Sequence, residues 1–450
     1  MVADLAFSSP GVAARALIRP DYDSAATAAL GEMLEQAGTF RFTPLPSGLF
    51  PAAHLSRRGL YTGYDRVWVR DNLQVANALF ATGQKAVAAR TVRATLDFYS
   101  RYRWRFEAII SGRLDPAAPM NRPHVRFDGT TLNELAEDWS HAQNDALGYC
   151  LWLASRLHLA GALSLDAADA ALLALFPLYF RAIRYWQDAD SGHWEEKRKV
   201  EASSIGTVVA ALLAFRRVLA GQGSIAAASE TVDLAMLDSL IAEGSAALAR
   251  ILPNECIVDE SARAADAALL FLIHPLEVVE EAVATRIITQ VETLLKGEVG
   301  IRRYLGDSFW CADYDSLLPE NRRTVNISGD MTARDALVRP GEEAQWCLFD
   351  PLLSTIFGRR FLADGDPVHR AQQVHYFNRS LSQLTTPSEG HGELLCPELY
   401  YLRQGRYVPN DVTPLLWTQA NLQVALETMA ATCQGAAPGG GIQLQTLGTH

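Results

Sequence analysis

The segment YWQDADSGHWEEKRKVEASSIG contains two adjacent glutamates after a tryptophan, and these residue types can transfer protons. Trp194, Glu195 and Glu196 lie in a connection between two apolar segments, after a turn marked by Gly192. Connections held by a rigid scaffold commonly carry chemistry. A carboxyl packed against an indole has a raised pKa, because apolar surroundings favour its neutral form. One of the two glutamates therefore has the setting expected of a general acid.

Two features oppose this interpretation. Adjacent acids on a surface turn are usually solvated and chemically idle. The basic run Lys197, Arg198 and Lys199 follows directly, and nearby cations lower a carboxyl pKa unless they point away. If this run lined the pocket, a negatively charged substrate would be expected.

The elements that position these residues are predicted to be helices. Apolar residues recur at helical spacing, and strand-like alternation is nearly absent. The predicted helices cover about 22–36, 65–83, 83–106, 139–160, 168–186, 203–220, 234–251, 262–273, 275–295, 344–357, 367–384 and 414–432. Many are apolar on more than one side, which requires an inner set of helices covered by an outer set. We expect an all-α protein with a single (α/α)6 barrel, since an open solenoid would show a fixed sequence repeat and none is visible.

The predicted organisation has three parts. An N-terminal helix and lead-in segment at 1–47 packs on the barrel, which occupies 48–432 and forms the catalytic domain. A Gly-rich tail at 433–450 is expected to be flexible. No secretory signal and no membrane span are indicated.

The composition limits the kinds of molecule that the protein is expected to bind. The 450 residues are 49% apolar and 20% charged, as in an ordinary globular protein, and a net charge of −11 opposes a nucleic-acid partner. The six cysteines are scattered without a CxxC pair, which favours buried free thiols over disulfides or a zinc site. We expect a cytoplasmic protein that binds no membrane. The sequence does not determine the oligomeric state.

Further polar clusters interrupt the apolar pattern. Arg70 and Asp71 open a helix, where a capping acid and a surface arginine are the simpler interpretation. The set from Trp139 through Gln143 to Asp145 precedes an apolar run, so at a barrel mouth these polar groups could pair with sugar hydroxyls. The acids of the 300–315 segment match no calcium loop, and no metal is predicted. Glu398 lies in a long connection before the last helix, a setting that is more often functional than not.

Six motifs in order carry a resemblance: VWVRDN, WSHAQND, HWEEKRKVEASSIG, GIRRYLGDSFWCADYD, EEAQWCLFDPLLSTIFG and PELYYL. Together they resemble glycoside hydrolase family 15, the glucoamylases, and especially the branch shared with the glucoamylase-like domains of phosphorylase kinase α and β subunits. The resemblance covers roughly 48–429. It implies the same (α/α)6 barrel that the helical pattern predicts.

The resemblance also implies residue roles. Arg70 and Asp71 would hold the terminal glucose, Glu195 would be the general acid and Glu398 the general base. Arg303 would contact the next sugar. The remaining expected substrate-binding residues are Trp68, Trp139, Gln143, Asp145, Trp194, Glu196 and Trp346. Inversion needs about 6.5–9.5 Å between the two carboxyls, and neither a metal nor another cofactor is required.

Departures from the family pattern refine the expected substrate. The late motif, Pro397-Glu398-Leu399, is closer to the phosphorylase kinase version than to that of secreted fungal glucoamylases. No starch-binding module and no N-terminal β-sandwich is visible, so soluble α-glucosides, including maltose-type, isomaltose-type or trehalose substrates, are expected rather than granular starch.

Two other functions remain open. A non-hydrolytic sugar-sensing domain would follow from the likeness to the kinase subunits, although the chain has no kinase catalytic motifs. An isomerase or lyase on the same barrel would use histidine bases, for which His141 and His391 are the candidates.

Overall fold

A computed structural model describes residues 17–221, 232–258 and 263–435 of the chain. Its helices are α1 (Ser24–Ala37), α2 (Val69–Ala81), α3 (Lys85–Arg101), α4 (Trp104–Ile110), α5 (Asn144–Leu159), α6 (Ala167–Ile183), α7 (Ala202–Ala220), α8 (Leu234–Ile251), α9 (Leu270–Ile273), α10 (Glu281–Gln290), α11 (Tyr314–Leu317), α12 (Glu320–Arg323), α13 (Thr332–Asp335), α14 (Phe349–Asp364), α15 (Pro367–Ser382) and α16 (Leu416–Gln434). Its strands are β1 (Val67–Trp68), β2 (Arg126–Asp128), β3 (Asn133–Glu134), β4 (Gln345–Trp346), β5 (Leu399–Arg403) and β6 (Arg406–Pro409).

Six helices form a closed inner ring. The ring runs α2, α5, α7, α9, α14, α16 and back to α2, and each helix packs against the next. The outer layer consists of α3, α6, α8, α10, α15 and α1, which pack against the inner helices in that order. This is the predicted (α/α)6 barrel.

The inner helices show why two layers are needed. In α5 every residue from Asn144 to Ser155 is buried, and in α7 every residue from Ala202 to Leu212 is buried. A helix that is apolar all round must be covered on all sides. By length and composition α7 passes as a membrane span, but 72% of its apolar window is buried inside the fold, as in the core helix of a soluble protein.

Five of the inner helices are followed by an outer helix that returns the chain, and α16, the last described helix, packs against α1, which comes first. The inner helices therefore begin at the same end of the ring, and the connections that enter them meet there. Helix N-termini carry partial positive charge, so this end of the barrel suits carboxylates.

The fold also contains a few short strands that the sequence analysis did not predict. Two antiparallel sheets, β1-β2-β3 and β4-β5-β6, lie in the connections that enter the ring. Their strands span two to five residues, too short to show an alternating pattern in the sequence. Some helix bounds also differ: α5 and α14 begin five residues later than predicted, and only Leu270–Ile273 of the predicted 262–273 helix is α-helical.

The ends of the chain pack together where they are described. Leu30 and Leu34 of α1 join Phe377 and Met429 in a second apolar cluster beside the main core. Helix α16 continues to Gln434, and the predicted flexible tail lies outside the described residues from 436 onward. All six cysteines are free thiols and five are buried, as predicted.

Candidate active site

The connection that enters α7 is a tight loop closed across its base. Asp190 and Lys199 exchange two backbone hydrogen bonds of 3.0 and 2.9 Å between N and O. Gly192 has φ of 51° and packs against the Glu201 carboxylate, which occupies the space that a Cβ would need. Only glycine fits this turn, because a larger residue would be strained and would collide with that carboxylate.

Within this loop the two adjacent glutamates point in different directions. Glu195 has a left-handed backbone with φ of 60°, an unusual conformation for a residue with a side chain. Its carboxylate lines a cavity at the mouth of the barrel. Glu196 is 1% exposed and does not line that cavity. Strained residues of this kind cluster at functional sites.

Arg70, in the first turn of α2, is the partner of Glu195. Its Nη2 lies 3.2 Å from Glu195 Oε1, while its Nη1 donates to Asp145 at 2.9 Å and to Gln143 at 3.0 Å. Burial raises the pKa of Glu195 above its usual value, although Arg70 acts to lower it. Gln143 and Asp145 both accept from Arg70 and do not line the cavity themselves.

The Glu196 carboxylate forms ion pairs with three cationic side chains of the protein. Burial acts to raise its pKa, but Arg263 at 3.0 Å, Arg303 at 3.4 Å and Lys199 at 3.8 Å lower it to about 2. Tyr304 also donates its hydroxyl to this carboxylate. The expected contact of Glu196 with substrate therefore stays a prediction, and its observed partners are protein groups.

The basic run after Glu196 faces away from the cavity. Lys199 pairs with Glu201 at 2.5 Å, Arg198 lies 3.5 Å from Asp188, and Lys197 is exposed. None of the three lines the cavity that Glu195 lines. The condition that would have implied a negatively charged substrate is not met.

Glu398 immediately precedes β5 and is 1% exposed. Its Oε1 accepts from the Tyr64 hydroxyl at 2.8 Å and its Oε2 from Asn410 Nδ2 at 2.5 Å. Its backbone is fixed by bonds to Cys347 and Val412 of 3.0 Å each. Burial raises the pKa of Glu398 to about 7, with the Tyr64 and Asn410 donors acting to lower it.

Both glutamates line one cavity of about 750 Å³, a volume that includes the solvent space at its open end. The structure brings together there nine of the residues predicted from sequence: Trp68, Arg70, Asp71, Trp139, Trp194, Glu195, Arg303, Trp346 and Glu398. Burial raises the pKa of Asp71 to about 7 as well.

Several lining residues had not been predicted. They are Tyr64, Ser140, His193, Phe309, Thr324–Ile327, Arg334, Leu415 and Trp417. Tyr64 and Trp417 lie close to motifs that were recognised, so their aromatic character was the available signal. The segment around Thr324 carries no motif and its sequence gave no such signal.

Six of the residues that line the cavity carry a buried polar atom without a hydrogen-bond partner in the protein. Such atoms belong to Arg70 (Nε), Trp139 (Nε1), Ser140 (Oγ), His193 (Nδ1), Trp346 (Nε1) and Trp417 (Nε1). Indole and guanidinium N–H groups can only donate, and burying them without an acceptor is costly. The tryptophan rings that line the cavity offer flat apolar faces on which a sugar ring could pack.

The two histidines considered as bases for an isomerase or lyase do not line this cavity. His141 stacks on His124 with ring centroids 3.7 Å apart, and neither His141 nor His391 lines the cavity. Burial lowers the pKa of His141 well below its usual value, which leaves it neutral. Among the described residues no group of three or more His, Cys, Asp and Glu is arranged to hold a metal.

The fold is a closed double ring of helices, and the partly buried Glu195 and the buried Glu398 line its aromatic cavity. Residues 30–311 match the model of glycosyl hydrolases family 15. The chain belongs to this family.

Individual relatives support the fold and span a range of functions. The chain is 26% identical over 397 residues to a probable phosphorylase b kinase regulatory subunit alpha of Caenorhabditis elegans, covering 78% of this chain and 30% of that subunit's length. A glutamate-to-alanine variant of a glycosidase in complex with glucose superposes with a TM-score of 0.62 at 18% identity, covering 91% of this chain and 99% of the other. A glucoamylase from Saccharomycopsis fibuligera superposes with a TM-score of 0.58 at 11% identity, covering 92% and 97%.

Proposed function

We propose that this protein is an inverting, exo-acting glycosidase that releases glucose from the non-reducing end of soluble α-glucosides. Glu195 is the general acid and Glu398 the general base. The observation that supports this most strongly is that two glutamates, one buried and one partly buried and held by different partners, line the same aromatic cavity. An inverting glycosidase needs two carboxyls with opposite roles facing one sugar bond.

The surroundings of Glu195 suit an acid that gives up its proton during the reaction. Its raised pKa favours the protonated form before the reaction. When the proton passes to the glycosidic oxygen, the carboxylate that forms lies 3.2 Å from the Arg70 guanidinium, which stabilises the new charge. Arg70 is itself fixed by Asp145, so it need not move at that moment.

The surroundings of Glu398 suit a base. Both of its oxygens accept hydrogen bonds, which fixes the carboxylate plane without neutralising its charge. A pKa of about 7 makes the ionised form a strong enough base to deprotonate an attacking water at neutral pH. Tyr64, which lines the cavity beside it, would orient the same carboxylate and contact the substrate.

The rest of the cavity supports a sugar ligand. Trp68, Trp139, Trp194 and Trp346 supply flat faces, and Asp71 and the unsatisfied donors supply partners for hydroxyls. The Arg303 guanidinium packs 5.0 Å from the Trp194 ring centre and 4.9 Å from that of Trp346, while Asp307 neutralises its charge. A family relative in complex with glucose makes glucose the expected occupant of the inner end.

Glucose release tests the proposal. The purified protein is incubated with maltose, isomaltose, trehalose and longer oligosaccharides, beside the Glu195→Gln and Glu398→Gln variants. We expect release by the parent protein and a loss of about three orders of magnitude in each variant, because each role transfers a proton in the transition state. Glu393→Gln is the matched control, since Glu393 is exposed in the same late connection as Glu398. Equal rates in all four proteins would contradict the assignment.

The match to the kinase regulatory subunit favours one alternative, a sugar-binding regulatory domain without hydrolysis. Calorimetric titration with glucose and maltose distinguishes it. Saccharide binding without turnover of any α-glucoside would favour the regulatory domain, whereas turnover favours the enzyme. The predicted cytoplasmic location fits either function and stays a prediction.

A further inference from the structure

The mouth of the cavity is crossed by residues 320–335, which we call the mouth segment. It contains α12 and α13 and follows residue 311, where the match to the family model ends. Four consecutive residues between these helices, from Thr324 to Ile327, line the same cavity as Glu195 and Glu398. Arg334 lines it too.

Hydrogen bonds attach the mouth segment on one side to the region of the proposed base. Arg323 Nη1 lies 3.2 Å from the Tyr61 hydroxyl. Tyr61 precedes Tyr64, which donates to Glu398, and its own hydroxyl donates to Asp411 at 3.0 Å. Arg323 also donates to the Asp315 and Leu318 carbonyls at 2.6 and 2.9 Å, which fixes its guanidinium.

Two further attachments lie elsewhere on the rim. Asn326 Nδ2 donates to Asp138 at 3.2 Å, next to the cavity residue Trp139. Ser308, which precedes the cavity residue Phe309, donates to Asp335 at 2.7 Å and accepts from Arg334 Nε at 3.1 Å. The segment is thus held at three separate places around the opening, so it spans the opening rather than bordering it.

The side chains that this segment presents are unsuited to a row of sugars. Val325 and Ile327 are aliphatic, whereas extended sugar chains stack on flat aromatic faces. The four tryptophans predicted from sequence and Trp417 line the cavity proper. Residues 324–327 thus line the cavity with two polar side chains, Thr324 and Asn326, and two aliphatic ones, and they offer no aromatic face.

We propose that the mouth segment restricts the substrate to a short leaving group, so that disaccharides or glucosides with a single-ring leaving group are preferred over longer oligosaccharides. This inference rests on the proposed function. It identifies the substrate class of the same site and assigns specificity to residues outside the family match.

Two double variants test the inference in hydrolysis. Arg323→Ala with Asn326→Ala removes two of the three attachments, and Arg322→Ala with Asn321→Ala is the matched control, since both of its residues are exposed in α12. We expect kcat/KM of the parent protein to be no higher for a heptasaccharide than for the disaccharide of the same linkage. The first variant should raise the heptasaccharide-to-disaccharide ratio by about fivefold, and the control should leave it unchanged. A parent kcat/KM that rises with chain length, or a ratio that the first variant does not change, would overturn the inference.

A binding measurement separates this inference from the proposed function. Glu195→Gln is titrated calorimetrically with maltose and maltoheptaose, and with the isomaltose series, so that no turnover is needed. Disaccharide binding at least as tight as heptasaccharide binding supports the inference, even if no glucoside is hydrolysed and the proposed function fails. Tighter binding of the longer chain, or binding of neither, would overturn it even if hydrolysis is observed.

Discussion

The regions around Glu195 and Glu398 place a partly buried and a buried carboxyl at one cavity by different physical means. Glu195 lies on a strained loop at φ of 60°, beside a guanidinium. Glu398 precedes a sheet strand, and its two partners are a neutral hydroxyl and a neutral amide. Burial raises both pKa values, so burial alone does not separate an acid from a base. The proposed roles rest instead on the partners of the two carboxyls. The cation beside Glu195 can stabilise a carboxylate that forms during the reaction, and the neutral donors beside Glu398 hold a carboxylate that is ionised beforehand.

The Glu195 region also shows how a carboxyl can keep a raised pKa next to three basic residues. Glu196, Glu201 and Asp188 pair with the cations of the loop. Arg263 likewise faces Glu196 and Asp266. The cations that opposed the general-acid interpretation in the sequence therefore have partners behind the loop, and the Glu398 region needs no such arrangement.

The largest effect is expected with α-glucosyl fluoride, a substrate that separates the role of the general acid from that of the general base. Fluoride leaves without protonation, so this substrate needs a base but no acid. Glu195→Gln should lose about three orders of magnitude in kcat on a disaccharide but about tenfold or less on the fluoride, whereas Glu398→Gln should lose about three orders on both. Fluoride release and glucose release are the measurements. The reverse pattern would exchange the two assignments.

The pH dependence of kcat/KM should be set by the ionisation of Glu398. The base must be ionised, and its pKa of about 7 means that about half of it is ionised at pH 7 and about 1% at pH 5, so kcat/KM should fall about 50-fold from pH 7 to pH 5. Asp71 has a pKa of about 7 too. The same acidic limb should therefore persist in Asp71→Asn, and its disappearance there would assign the limb to Asp71.

Tyr64→Phe should have an intermediate effect confined to the base. Loss of the hydroxyl removes a donor that stabilises ionised Glu398, so the pKa of Glu398 should rise and the acidic limb should move to higher pH. At pH 7 we expect kcat/KM to fall about tenfold. Tyr102→Phe is the control, because Tyr102 contacts Asn133 at the protein surface. An unshifted limb in Tyr64→Phe would show that Tyr64 does not act through Glu398.

The smallest effect is expected at the basic run. Lys197 is exposed and does not line the cavity, so Lys197→Ala should change kcat/KM for neutral glucosides by less than about twofold. A large rise in KM, measured at low and high salt, would show that this lysine contacts the substrate.

The sequence predicted the helical rings and part of the cavity because helical periodicity and motif order are local properties. The all-round apolar pattern of α5 and α7 required a covered inner layer, and the structure has one. The motifs also identified nine residues that line the cavity.

The direction in which each side chain points could not be predicted from the sequence. Glu195 and Glu196 are neighbours of the same type, and the left-handed backbone at Glu195 and the cations around Glu196 separate them. Two of the cations around Glu196, Arg263 and Arg303, lie 67 and 107 positions further along the chain. The hydrogen bond between Tyr64 and Glu398 joins residues 334 positions apart, and no local pattern encodes it.

The anomeric form of the first product tests the central claim most directly. Proton NMR follows an α-glucoside mixed with the protein, before the released sugar mutarotates. If Glu398 activates a water on the face opposite to the bond that Glu195 protonates, β-glucose appears first and α-glucose grows in later. Initial release of α-glucose would mean retention and would contradict the assignment of acid and base to these two glutamates.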